Sequence, residues 1–225
     1  MAVWYLFIFG LFVPYLAIQS SRKIRAGAPV PPKKKIFLNT VLMEIFFLAI
    51  ALFTAKSRDI EVFARGTLTV NALLLALAIF AIALGTLPLR WRLSSNESKK
   101  RLLLSRPEAA SDLGRWFAVS LAAGVVEEIV FRGVMLALLL PITGNWYAAV
   151  AICVLCFALG HGNQGLWRAA FLGALAIGCH ALVALTGSLF LAMTVHFVYD
   201  FLGGVVYIRL ARQFRSAPAT EQLPA

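Results

Sequence analysis

WFAVSLAAGVVEEIVFRGVMLALLL, residues 116–140, is the stretch that decides the fold. At about 1.5 Å per residue a helix of this length spans the ~30 Å hydrocarbon core of a bilayer. Yet the stretch holds two adjacent carboxylates, Glu127 and Glu128, and a cation, Arg132. Ionisable residues inside a membrane are costly and are tolerated as partners in a site. Successive helical residues are rotated by about 100°, so Glu128 and Arg132, four apart, share a face and can pair, whereas Glu127 points elsewhere. The spacing thus separates the carboxylates by role: Glu128 has a structural partner and Glu127 is left to take a proton. If both only knitted helices together, two carboxylates would do what one could.

Outward from this stretch, apolar runs of similar length recur along the chain. Of 225 residues, 61% are hydrophobic and 14% charged, with a mean hydropathy of +0.84, far from an ordinary soluble domain. The sequence predicts an all-α, polytopic transmembrane helix bundle of about seven spans, near residues 2–18, 36–55, 67–89, 116–140, 146–161, 168–186 and 188–208. The first run lacks a basic flank before it and a small-residue cleavage site after it, so it reads as a retained span rather than a signal peptide. Pro141, Thr143-Gly144-Asn145 and Thr186-Gly187-Ser188 read as tight turns that fold the last four spans into two hairpins.

The net charge of +11 could suggest nucleic acid, but the cations form short blocks between apolar runs and no polar fold presents them to a duplex. They read as topology signals. Arg22, Lys23, Arg25 and Lys33 to Lys35 follow the first span, a second block runs from Arg90 to Arg115, and Arg168, Arg209, Arg212 and Arg215 fall on the same side. Only Lys56, Arg58 and Arg65 lie opposite, which puts the N-terminus outside and the C-terminus in the cytoplasm. The chain then divides into an N-terminal transmembrane region (1–90), a basic cytoplasmic linker that is long enough to form a surface helix (91–115), a four-span core (116–208) and a cytoplasmic tail (209–225), disordered from Ser216.

Two further clusters accompany the glutamates. His161, four residues after Phe157, stands between Gly160 and Gly162 at the inner end of the fifth span, where another backbone or a substrate can approach. His196 and Asp200 are one turn apart on the seventh span, so both can face one cavity and the carboxylate can orient the imidazole. Counted from the outer helix ends, Glu127 is roughly 21 Å deep, His161 roughly 24 Å, Asp200 roughly 18 Å and His196 roughly 12 Å. Helices of opposite direction bring all four to the middle or inner half of the bilayer. His180 has no acidic residue at helical spacing and reads as structural, and Glu44 is isolated in the second span, facing the bundle or snorkelling. Cys153, Cys156 and Cys179 lie in apolar runs and read as reduced packing residues, since the CxxC of the first two has neither polar access nor a second ligand pair.

Glu127-Glu128-x-x-x-Arg132, Phe157-x-x-x-His161 and His196-x-x-x-Asp200, in that order on successive hydrophobic helices, resemble the CPBP family of intramembrane proteases. That family includes the Rce1-type CAAX prenyl endopeptidases and the bacterial abortive-infection or bacteriocin-immunity proteins. The resemblance covers residues 112–208. It implies that Glu127 and His161 activate a water for attack on a peptide carbonyl, that His196 and Asp200 stabilise the oxyanion or orient the site, and that Arg132 anchors Glu128. Family members carry Asn or Asp at the last position; with Asp200, an ionised carboxylate cannot donate to an oxyanion, so it is either protonated or orients His196. The resemblance also implies a glutamate mechanism with no metal cofactor, although two histidines and two carboxylates match a zinc ligand set. The implied partners are the lipid bilayer and a peptide or protein cut close to its membrane anchor, and the implied location is a bacterial inner membrane.

Other protease chemistries fit the residues less well. A rhomboid-like serine site would use Ser188, which sits in a turn some 12 Å from His196 by helical rise, and an aspartyl site needs a second intramembrane aspartate beside Asp200. A proton-coupled carrier or immunity scaffold built on the same charges is the alternative of a different class. A carrier is expected to repeat its broken helices in both halves, and the first three spans hold no counterpart of the motif helices.

Overall fold

In the computed structural model the described residues are 1–162 and 166–216, apart from the side chain of residue 166, and no strand occurs among them. The predicted disordered tail after Ser216 lies outside them. The helices are α1 (Ala2–Arg25), α2 (Lys33–Ser57), α3 (Val70–Leu93), the short α4 (Asn96–Leu104), α5 (113–143), α6 (Trp146–Gly160), α7 (Leu166–Thr186) and α8 (Phe190–Ser216). Five of these, α1, α2, α3, α7 and α8, are long and apolar enough to cross a membrane. Helix α6 is apolar but shorter, and α5 carries the three motif charges. The chain is a multi-pass, all-helical membrane protein.

Helix α5 contains a feature that periodicity did not announce. Between its α-helical parts, Leu113–Glu128 and Leu136–Thr143, residues Ile129–Met135 form a π-helical segment. The wider i→i+5 turn is rare and is found mostly at functional sites. It begins directly after the Glu127-Glu128 pair, and its Val130 carbonyl accepts a hydrogen bond from Tyr5 Oη of α1 at 3.0 Å. Pro141, expected in the following turn, instead lies inside the helix, which ends at Gly144 with φ +61°, the left-handed conformation that favours glycine. Asn145 then caps α6, its side chain accepting from Ala148 N at 3.1 Å. Gly187 (φ +67°) makes the corresponding turn between α7 and α8.

The core is centred on α5. Helix α8 packs along its first half and α2 beside it. A Cβ at Gly124 would stand 2.7 Å from the backbone nitrogen of Phe197, so only glycine allows α5 and α8 to approach this closely. At the other end of the contact a Cβ at Gly204 would overlap the Trp116 indole, whose Nε1–H donates to the carbonyls of Asp200 and Phe201 at 3.2 and 3.3 Å. Gly124→Val should therefore force the two helices apart at a cost of about 1–3 kcal/mol, the usual range for overpacking. Thermal unfolding in detergent would check it, with Gly114→Val, where added atoms meet open space, as the neutral comparison.

The 91–115 stretch is largely ordered. Ser95 caps α4 by accepting from Ser98 N at 3.2 Å, and Leu102 and Leu103 pack in one cluster with Leu87, Trp91 and Tyr207. Lys33 Nζ, at the start of α2, donates to the carbonyls of Leu103 and Arg106 at 2.9 and 2.8 Å and pairs with Glu108, which also pairs with Arg215 near the end of α8. Partial burial pushes the Glu108 carboxyl up, but Lys33 and Arg215 outweigh it and hold the group below its ordinary value of 4.5. A carboxyl depressed on folding contributes stability that is present above the unfolded value and is lost as pH falls through the folded one. Amide protection in the last turns of α8, taken relative to the intrinsic exchange rate at each pH, should hence fall as pH drops below about 4.5, and Glu108→Gln should show the lower protection already at neutral pH.

Candidate active site

Glu127, Glu128, His161, His196 and Asp200 converge, although three helices deliver them. Glu127 stands at the centre: its Oε1 is 3.8 Å from His161 Nε2 and its Oε2 is 3.7 Å from His196 Nε2. Glu128, on the neighbouring face, is fully buried, whereas the side chain of Glu127 keeps 15% exposure on the wall of a cavity of about 220 Å³. His161, Glu44, Arg106, Trp116 and Asp200 line the same cavity. Adjacent carboxylates thus meet different surroundings, one sealed and one open, as the 100° rotation between them requires.

The ring nitrogens of both histidines are set by their neighbours. His161 caps α6, and its Nδ1–H donates to the Phe157 carbonyl at 2.9 Å, so in the neutral ring Nε2 is the bare acceptor and it faces Glu127. His196 Nδ1–H donates to Glu128 Oε1 at 2.8 Å, which turns Nε2 between Glu127 and Asp200 Oδ2, 3.9 Å away. The carboxylate that orients His196 is therefore Glu128, from the facing helix, and not Asp200 one turn along its own. Asp200 is shared: its Oδ1 accepts from Arg106 Nη1 at 3.4 Å, and only its Oδ2 is turned to His196.

Glu128 also lies 3.3 Å from Arg132 Nη1. Phe157 ties this pair to the open part of the site. The Arg132 guanidinium sits 4.6 Å above its ring, the His161 ring lies against it at a 40° tilt with centroids 4.6 Å apart, and His196 meets it edge-on at 6.2 Å. His180 is buried with neither ring nitrogen hydrogen-bonded among the described residues, within electrostatic reach of Arg132 and Glu128. The three cysteines are free and buried.

Two cavity residues escape sequence reasoning. Arg106 counts there as one more cation of a basic block, but it is buried at 6% exposure against Asp200 and lies 4.8 Å over the Trp116 ring. Glu44, isolated in the sequence, faces the bundle and not the lipid boundary; it is buried on the cavity wall with Oε2 unpartnered among the described residues. No spacing rule points to either, because their partners are on other helices. Glu44 carries one weak signal as the sole acidic residue of a long apolar run.

Among the described residues no three His, Cys, Asp or Glu side chains are grouped so as to hold a metal ion. Residues 109–202 match the family model described as type II CAAX prenyl endopeptidase Rce1-like. The chain carries an Rce1-like domain. Every motif residue from Glu127 to Asp200 falls inside the match, and Glu44 and Arg106 fall outside it. The family is one of membrane proteases, in keeping with the multi-pass fold. Comparison with curated proteins and with solved structures finds no match.

Proposed function

We propose that the protein is an intramembrane endopeptidase that hydrolyses a peptide bond of a membrane-associated protein by a water activated between Glu127 and His161. The observation that carries this reading is the 3.8 Å separation of Glu127 Oε1 from His161 Nε2, with the Nδ1–H of His161 spent on Phe157. That distance is too long for a direct hydrogen bond, but one water at about 2.8 Å from each acceptor would bridge it. Such a water donates both its protons to the bridge and keeps its lone pairs for a carbonyl carbon in the cavity. Glu127 takes one proton as the C–O bond forms and returns it to the amine as the C–N bond breaks. His196, fixed by Glu128, confines Glu127 from the other side. No metal is required by this scheme.

The finer features of this reading are seven spans with the N-terminus outside, a bacterial inner membrane, and a substrate cut near its membrane anchor. A CAAX-type C-terminal sequence is the substrate class that the family's description suggests, and the reading does not require a prenyl group. The test compares protein termini in membranes of cells carrying wild-type protein with those carrying His161→Ala. At least one terminus is expected to disappear, with its precursor accumulating, while the variant remains inserted. Identical sets of termini would instead favour a carrier or scaffold.

A further inference from the structure

Hydrolysis of an amide also needs a donor for the carbonyl oxygen as it becomes an oxyanion, placed before the reaction begins. The polar side chains that line the cavity can be taken in turn. Thr40 Oγ1 donates to Ile36 O, Ser105 Oγ to Leu102 O, the Trp116 indole to Asp200 and Phe201 carbonyls, and His161 Nδ1–H to Phe157 O. Glu127 and Asp200 are acceptors when ionised, and Glu44 has no positive charge with which to meet an oxyanion. Arg106 remains. Of its five N–H groups one is directed at Asp200 Oδ1, while Nε is buried and meets no acceptor among the described residues. Its plane lies over Trp116 at 4.8 Å and within 5.9 Å of the Tyr207 ring, and the Asp200 pair fixes it from the side.

We infer that Arg106 is the oxyanion donor of this site and that Asp200 is its positioning residue, an assignment that rests on the endopeptidase reading above. An acceptor-only Asp200 next to the reacting carbonyl is thereby explained: it recruits a cation from the segment before the Rce1-like domain instead of donating itself. The charge-assisted N–H of a guanidinium is a stronger donor than a neutral amide, and burial against Trp116 shields it from water.

The experiment uses full-length protein in cells, with the termini that vanish in Glu127→Gln as the readout and the rate of their appearance after induction as the measure. Arg106→Gln is expected to slow that rate by about 10²-fold or more, the usual effect of losing one oxyanion donor. Asp200→Asn alone should slow the rate less than Arg106→Gln does, and Arg106→Gln with Asp200→Asn should recover at least about tenfold over Arg106→Gln, because the new amide can donate. Arg106→Lys, which keeps the ion pair, guards against loss of Arg106→Gln from the membrane. The inference is overturned if Arg106→Gln cleaves within about threefold of wild type, or if the double variant and Arg106→Lys are both as slow as Arg106→Gln at equal membrane levels. If Glu127→Gln leaves every terminus in place, the endopeptidase reading itself fails, which is a separate result.

Discussion

Glu127→Gln is expected to lower the rate of substrate cleavage by about 10²–10⁴-fold, the range that general-base catalysis supplies. Glutamine is nearly isosteric, so the contacts of the side chain with His161 and His196 survive while its capacity to accept a proton is lost. The cavity position of Glu127 means that the change leaves no buried ion without a partner, and the variant should insert and unfold like wild type. Initial rates on the accumulated precursor, in reconstituted vesicles with wild-type and variant at equal amounts, give the comparison. Cleavage at more than about a tenth of the wild-type rate would remove Glu127 from the chemistry.

Arg132→Met is expected to cost about 3–5 kcal/mol of stability, because it strands the charge of Glu128 in a site with no solvent exposure. The Arg132 side chain itself is 1% exposed, so neither partner can turn to water. Replacing both residues, Glu128→Met with Arg132→Met, should return most of that stability, since a buried ion pair is often no better than apolar packing of similar volume. It should nevertheless leave the enzyme slow, because His196 Nδ1–H loses the acceptor that turns Nε2 towards Glu127. Chemical unfolding in detergent together with cleavage rates separates the two effects. A single Arg132→Met variant as stable as wild type would show that the pair holds nothing in place.

Much of this site is legible in the chain because helices convert sequence spacing into direction. Glu128 and Arg132 pair four residues apart, the rings of Phe157 and His161 meet four residues apart, and the turns at Gly144 and Gly187 set α6 and α8 beside α5. The same reasoning gave only part of the surroundings of Asp200, which lies 3.9 Å from His196 Nε2 but also meets Arg106. Helical spacing offers His196 as its partner, but the 2.8 Å bond of His196 goes to Glu128 across the α5–α8 interface, which Gly124 brings within reach. The π segment of α5 was equally silent, because the hydrophobic pattern of residues 129–135 is that of any buried helix.

The sequence by itself determined that the chain is a membrane bundle of helices and which carboxylates and histidines are too costly there to be incidental, since desolvation penalties and the 3.6-residue turn are local properties. Only the tertiary structure decided who meets whom: that Glu128 serves His196, that Asp200 answers to Arg106, and that Glu44 looks into the cavity. Those contacts join residues as many as 94 positions apart, and their distances follow from the packing of whole helices, which no single helical repeat encodes.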